Sequence, residues 1–272
     1  MLIRVQMKAL AGLITKERLI RFGVYGLSIA AGLLLWQWVS TSFFSPILFP
    51  PPTKVIPAFG HQLASGSLVY AARVSMTRIL IGFALGTLFG VCVGFLIARV
   101  ALVRMVAEPW VNLLRFIPTI ALLAPFIVWF GIGESAKIGL IVYTTTFIVM
   151  LNTIAGVYGL SHQRLRAARA FGASEAQVFL SVIVPGTLPF IFTGMRLAMG
   201  NSFMTVVAAE LVAAQSGLGF MINQARLFLD STTIFVGIIA LATLGLMTDV
   251  LLVTVQNTLF RRYTMGLRLR QR

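Results

Sequence analysis

Apolar residues in this chain fall in long unbroken blocks rather than in the alternating or one-faced patterns of a soluble fold. Six blocks can be drawn, at roughly 22–44, 79–99, 106–130, 137–158, 189–213 and 234–258. Each reaches or exceeds the about 20 residues of helix that cross a hydrocarbon core. A soluble core of this size has no need of such runs. The pattern predicts an all-α, polytopic membrane helix bundle of about six transmembrane helices. It divides the chain into a basic tail at 1–21, a membrane domain at 22–258 and a second basic tail at 259–272. The first block is not read as a secretory signal. The basic tail runs to Arg21 and the apolar stretch continues to about Phe44, longer than the 7–15 residues of a signal-peptide core.

Two connecting segments carry pattern of their own. After the first block comes Phe49-Pro50-Pro51-Pro52-Thr53, which cannot continue a helix. Thr53 is placed to cap a short helix starting near Lys54. Val55, Ile56, Phe59 and Leu63 recur in it at helical spacing, which suits either a helix lying along the outer interface or a packed connector. The longer connector, 159–188, reads as helix, stop and helix. Residues 163–171 are good helix formers, and Gly172 suits the left-handed position past a helix end. Ser174 then suits an N-cap with Glu175 in the first turn, and Pro185 is read as ending this second helix. Ala167 and Ala168 leave one side of this knob open to close approach by another protein.

Composition sharpens the class. The 272 residues are 58% hydrophobic and 11% charged, with a mean hydropathy of +0.95, against about 45–50% and about 25% in soluble domains. The net charge of +15 raises nucleic-acid binding, but its placement argues against that. Ten of the 22 basic residues lie in the two tails, and Arg99, Arg104, Arg164, Arg166 and Arg169 lie in connectors on the same side. Only Lys54, Arg73, Arg78, Lys137 and Arg226 fall at the other side. This asymmetry places both termini in the cytoplasm. Cys92 is the single cysteine, and His61 and His162 stand apart, so neither a disulfide nor a metal cluster is expected. No phosphate-binding G-x-x-x-x-G-K-[ST] run and no H-E-x-x-H pair occurs. The chain is therefore read as no enzyme.

Several polar residues lie inside the blocks. Arg115 stands about nine residues, or roughly 13 Å, into the third block, and Arg196 about seven residues, or roughly 10 Å, into the fifth. A central Arg costs about 2.5–3.5 kcal/mol on insertion scales, so each is read either as lining an anion pathway or as snorkelling to the interface. No acidic partner is evident for them. Asn112, Asn152 and Asn201 are candidates for bonds across the bundle or to a solute. Glu210 is a candidate for a gate, a docking contact or a structural ion pair. Gly82, Gly86, Gly90 and Gly94 recur every four residues, a row that lets helices approach closely.

The connector at 159–188 resembles the coupling loop of ABC importer permeases, whose pattern is E-A-A, three residues, G, nine residues, I-x-L-P. Ala167, Ala168, Gly172 and Pro185 sit at the required spacing, with Val182 and Val184 as stand-ins. Arg166 occupies the place of the glutamate, a reversal of charge. Further segments are similar to the nitrate/sulfonate/taurine/bicarbonate subfamily: Leu114-Arg115-Phe116-Ile117-Pro118, Ile127 to Gly133, Leu151-Asn152-Thr153, Thr193 to Ala198, Ala208-Ala209-Glu210-Leu211 and Ser216-Gly217-Leu218-Gly219. The resemblance implies the type I ABC importer permease fold in the bacterial inner membrane. It assigns the coupling loop to Arg166, Ala167, Ala168, Gly172, Ser174, Glu175 and Pro185. It implies partner ATPase subunits that bind ATP and magnesium, a periplasmic or lipid-anchored binding protein, and a second permease copy. This chain then needs no cofactor of its own. The expected cargo is a small anion, sulfonate-like, taurine, nitrate or bicarbonate, along a pathway holding Arg115, Asn152, Arg196, Asn201 and Glu210. The competing reading is a secondary transporter or channel without an ATPase partner.

Overall fold

A computed structural model describes the backbone of residues 2–259 and the side chains of residues 23–258. The basic residues of both tails lie outside the side chains so described. The described residues form helices α1 (Leu2–Phe43), α2 (Pro52–Ala64), α3 (Ser67–Arg99), α4 (Ala101–Leu114), α5 (Leu123–Phe130) and α6 (Glu134–Tyr158). They continue as α7 (His162–Ala170), α8 (Glu175–Val178), α9 (Val184–Ala213), α10 (Leu218–Leu227) and α11 (Ser231–Leu259). Five helical runs are long and apolar enough to cross a membrane: Gly23–Phe43, Ser67–Arg99, Glu134–Tyr158, Glu175–Ala213 and Ser231–Thr258. The expected third span is different. Residues 101–114 and 119–130 form two pieces bent by 96°, so a straight helix over 106–130 does not exist.

The closest packing in the bundle joins α3 to α6 along the glycine row. A Cβ on Gly82 would overlap the Ile141 side chain, and one on Gly86 would overlap Thr145. Gly90 meets Val149 and Gly94 meets Thr153 in the same way, so the two helices run parallel at backbone contact, as small-xxx-small rows allow. Helix α9 runs antiparallel against the same pair, with Gly194 against Asn152 and Ser202 against Thr145. Ile79, Ile141, Val149, Ala198 and Val206 are buried where these three helices meet.

Several boundaries differ from the expectation for identifiable reasons. Helix α3 starts at Ser67 rather than near residue 79 because Arg78, which looks like a loop charge, is buried and ion-paired. Pro185 does not end a helix. A π turn, Phe179–Ile183, leads directly from α8 into α9, and its wider ring accommodates a proline that lacks the N–H for the normal bond. Nor does Thr53 cap α2. Pro51 stands at that position with Pro52 at the first helical place, where a missing N–H costs nothing. Val55 of α2 is fully buried against Leu68, Leu218 and Val236, so α2 is a packed connector, with Ile56 and Leu63 left on its outer side.

Candidate functional site

The broken third span is where irregular backbone is carried within the membrane domain. Proline 118 disfavours helical geometry at Ile117, and α4 ends at Leu114 with Arg115 as its C-terminal cap. The freed carbonyl of Leu114 accepts a hydrogen bond from the Tyr143 hydroxyl at 2.7 Å. Beyond the break a 3-10 turn, Thr119–Leu122, rejoins α5, and the Thr119 and Thr144 hydroxyls lie 3.0 Å apart. Thr119, Ile120 and Leu123 line a narrow gap against Thr205 and Ala208 of α9. Non-helical backbone at membrane depth is tolerated where it is buried in protein or lines a wet cavity. Here Arg115, Phe116 and Ile120 are all exposed on the isolated chain. The Arg115 guanidinium lies over the Phe116 ring, 4.8 Å from its centroid, and among the described residues no carboxylate pairs with it. Arg115 thus stands at a break, not on the wall of a continuous helix.

Arg196 is placed differently from expectation. Its Nε and Nη2 donate to the two Asp249 oxygens at 2.8 and 2.9 Å, so it has the acidic partner that Asp249, 53 residues away on α11, did not suggest in the sequence. The pair lies beside an open cleft of about 520 Å³ between α9 and α11, floored by Met199, Gly200, Phe203 and Gly245. Asn152 donates to the Ile148 carbonyl of its own helix at 2.8 Å and packs over Gly194. Asn201 is exposed, and its Oδ1 accepts from Thr205 at 3.4 Å. Of the five candidate pathway residues, Arg115 stands at the break and Asn201 is linked towards it through Thr205.

Glu210 is fully buried and holds a network at the opposite end of the bundle from α7. Ser75 Oγ donates to its carboxylate at 2.8 Å, Arg78 Nη1 at 2.6 Å and the Gly219 N–H at 2.8 Å. Arg78, 2% exposed, also donates to the Ser216 carbonyl at 2.7 Å and to both Glu134 oxygens. Lys137, buried as well, donates to Glu134 at 3.0 Å. Two cations and two anions therefore close on each other, the arrangement that burial demands. Gly217, with φ +113, lets the 214–217 turn lie on the Glu210 carboxylate, where a Cβ would collide with it. A gate or docking contact needs an accessible carboxylate; this one is a structural ion pair.

The first part of the connector, 159–178, forms the helix, stop and helix that its sequence predicts, and the remainder continues through the π turn into α9. Gly172 has φ +79, and the Ala173 and Gly172 N–H groups donate back to the Ala168 and Arg169 carbonyls at 3.2 and 2.9 Å, closing α7. Ser174 caps α8 in a reciprocal pair with Gln177. Glu175 accepts from Arg169 at 2.8 Å and from Arg99 at 3.2 Å, tying the knob to the end of α3. The bonded carboxylate raises the Arg169 guanidinium above its ordinary value. Ala167 is exposed and Ala168 half-buried.

Residues 86–261 match the family of binding-protein-dependent transport system inner membrane components. The chain is a member of that family. It is 37% identical to the taurine transport system permease protein TauC of Escherichia coli over 85% of this chain and 86% of that one. It is 35% identical to the putative aliphatic sulfonates transport permease protein SsuC of Escherichia coli over 86% and 89%. Its helices superpose on a methionine ABC transporter solved in inward-facing conformations, with a TM-score of 0.55 and 21% identity over 66% of this chain and 92% of that one. The protein is thus an ABC importer permease of the nitrate/sulfonate/taurine type with the type I fold. Subunits of this kind are not themselves enzymes. The matched residues begin within α3 and run through α11, and so include the break at Arg115, the Arg196–Asp249 pair, the knob and Glu210, while Ser75 and Arg78 precede them.

Sequence reasoning missed Asp249 and the pairing of Arg78 with Glu210. Neither pairing follows a helical spacing, because each joins two different spans. The break at Arg115 did leave a signal. Pro118 stands nine residues past the nearest preceding proline, Pro109, inside a block whose apolar pattern predicts one helix.

Proposed function

We propose that this permease forms the pathway for a small anion, sulfonate-like in charge and size, with ATP hydrolysis supplied by separate ATPase subunits. The observation that carries the choice of cargo is Arg115. It is a cation at a break in a membrane span, uncompensated by any described carboxylate. An unpaired guanidinium attracts an anion, and does so more strongly where a second copy closing over the break would exclude water. Broken helices mark solute sites in membrane carriers generally. The relatives whose printed names specify taurine, aliphatic sulfonates and nitrate name solutes that each carry an anionic group. Arg196 no longer contributes, since Asp249 neutralises it.

The same geometry supports a pair of permeases. Phe116 is 74% exposed and Ile120 59% exposed, so the broken span has a wall on one side only, and a second copy supplies the other. A binding protein delivers the solute at the end of the bundle holding Glu134 and Glu210. The ATPase seats on the knob at 159–188, in the cytoplasm with both termini. The distribution of exposed cationic residues supports this orientation. Arg78 and Lys137 are spent in buried ion pairs, leaving Lys54, Arg73 and Arg226 exposed at the outer end against Arg99, Arg104, Arg164, Arg166 and Arg169 at the knob end.

The test is ATPase stimulation in the reconstituted complex across a panel of sulfonates, nitrate, bicarbonate and neutral heterocycles, for the wild type and Arg115→Gln. Anions should stimulate the wild type, and the variant should require at least about tenfold more anion for the same stimulation, the cost of about 1.4 kcal/mol. Stimulation by a neutral solute alone, unchanged in Arg115→Gln, overturns the anion pathway.

A further inference from the structure

The knob carries a charge that its own surroundings leave unanswered. Helix α7 holds Arg164, Arg166 and Arg169 and no acid. The one carboxylate near it, Glu175, is occupied by Arg169 and by Arg99 of α3. Among the described residues no carboxylate pairs with Arg164 or Arg166. Leu165 and Ala168 are the half-buried residues of α7 and define its inward face. The outward face is the opposite set, Gln163, Arg166, Ala167 and Ala170, at the i, i+3, i+4 and i+7 spacing of one helical stripe, and all four are exposed. Arg166 therefore stands at the middle of the outward stripe, beside two alanines that let another backbone come close. Phe171 follows at the end of the helix and is 92% exposed. The ring stands beside the outward stripe, next to a turn held by Gly172, so a surface that seats the stripe also meets it.

Close approach changes what Arg166 needs. A guanidinium on an open surface is solvated by water. Pressed against a partner by the alanines on either side, it loses that water and requires a carboxylate opposite. An arginine in this place also favours a planar, two-pronged acceptor. We propose that the surface seating this knob presents a carboxylate opposite Arg166, with a second acidic group within reach of Arg164, and an apolar slot that takes the Phe171 ring. The proposal rests on the coupling reading given above and adds to it the chemistry of the ATPase face. The partner is acidic where α7 lands, and an ATPase groove that is basic there will not serve this permease. An anionic lipid headgroup offers charge of the same sign, but it is the outcome that the experiment is designed to separate.

The full-length permease is reconstituted in nanodiscs of phosphatidylcholine alone and of phosphatidylcholine with phosphatidylglycerol, and its cognate ATPase is titrated in at rising NaCl. A bimane label on Ala170→Cys, in a Cys92→Ser background, reports burial at the knob. The proposal expects binding in both lipids, a bimane shift only when the ATPase is added, and affinity that falls as salt rises. Arg166→Glu should weaken binding by about tenfold or more, and Arg166→Lys should retain more of it than Arg166→Gln. Phe171→Ala should weaken binding with its salt dependence unchanged. Restoration of Arg166→Glu by a Glu→Lys or Asp→Lys change on the ATPase groove is the decisive positive result. Binding indifferent to salt and to Arg166→Glu overturns the acidic-face proposal while leaving coupling intact. No binding of the ATPase to the wild type overturns the coupling reading, and the proposal with it. A bimane shift driven by phosphatidylglycerol without ATPase assigns the knob to the membrane surface and also overturns it.

Discussion

Glu210 ties α9 to α3 and α10. Its carboxylate is bonded by Ser75, Arg78 and the Gly219 N–H, with no access to solvent. Removing it leaves Arg78 buried beside a carboxylate, Glu134, that is half open to solvent. Breaking a buried pair from one side typically costs about 3–5 kcal/mol. Glu210→Ala should therefore sharply lower the thermal unfolding midpoint in detergent and the yield of folded protein. Gly217→Ala should do the same, since its Cβ would meet the Glu210 carboxylate. Glu134→Gln should be milder, because the Arg78–Glu210 bond survives it. An unfolding midpoint for Glu210→Ala within a degree of the wild type would contradict the structural role. At this scale the sequence was partly legible. The knob residues Gly172, Ser174 and Glu175 take their expected conformations because each is set by neighbours within three residues. Glu210 and Arg196 were open to several readings because their partners, Arg78 and Asp249, arrive from other spans.

Among the elements, α3 and α6 form the rigid pair on which the rest is assembled. Their backbones touch because Gly82, Gly86, Gly90 and Gly94 carry no side chain, and a Cβ on Gly90 would lie 2.8 Å from the Thr146 carbonyl and 2.9 Å from Val149 Cβ. Gly90→Leu must push the helices apart, at the about 1–3 kcal/mol that overpacking costs, or more. Loss of folded protein is expected, seen as aggregation in size-exclusion chromatography. A leucine placed at Gly60, which has nothing near it, is the control that should leave the elution profile unchanged. The five continuous spans were legible as apolar blocks because hydrophobicity alone sets their existence. Their ends were not. Helix α3 reaches back to Ser67 through buried, ion-paired Arg78, and α9 is entered through a π turn that carries Pro185. The break after Arg115 was hidden by the apolar residues around it, although Pro118 marks it.

For the whole molecule, orientation and energy source are the two claims to settle. Orientation is tested by labelling single cysteines in the Cys92→Ser background with an impermeant thiol reagent on intact cells. Ser135→Cys, exposed beside Glu134, should react, and Ser161→Cys, exposed at the start of the knob, should be shielded until the cells are opened. The reverse pattern would invert the membrane topology. On the proposed seating of the ATPase at the knob, energy coupling depends on the outward stripe of α7. Ala167→Glu places a bulky anion on it and should abolish transport while leaving membrane insertion unchanged, measured by uptake against the amount of inserted protein. The central claim, that this chain is the membrane half of an ATP-driven importer, is tested most directly by solute uptake into proteoliposomes. These hold the permease, its ATPase and its binding protein, with ATP supplied on the knob side and ionophores collapsing the proton and sodium gradients. Uptake should require hydrolysable ATP and be unaffected by the ionophores. Uptake that continues without ATP and stops when the gradients are collapsed would make this chain a secondary transporter and contradict the account.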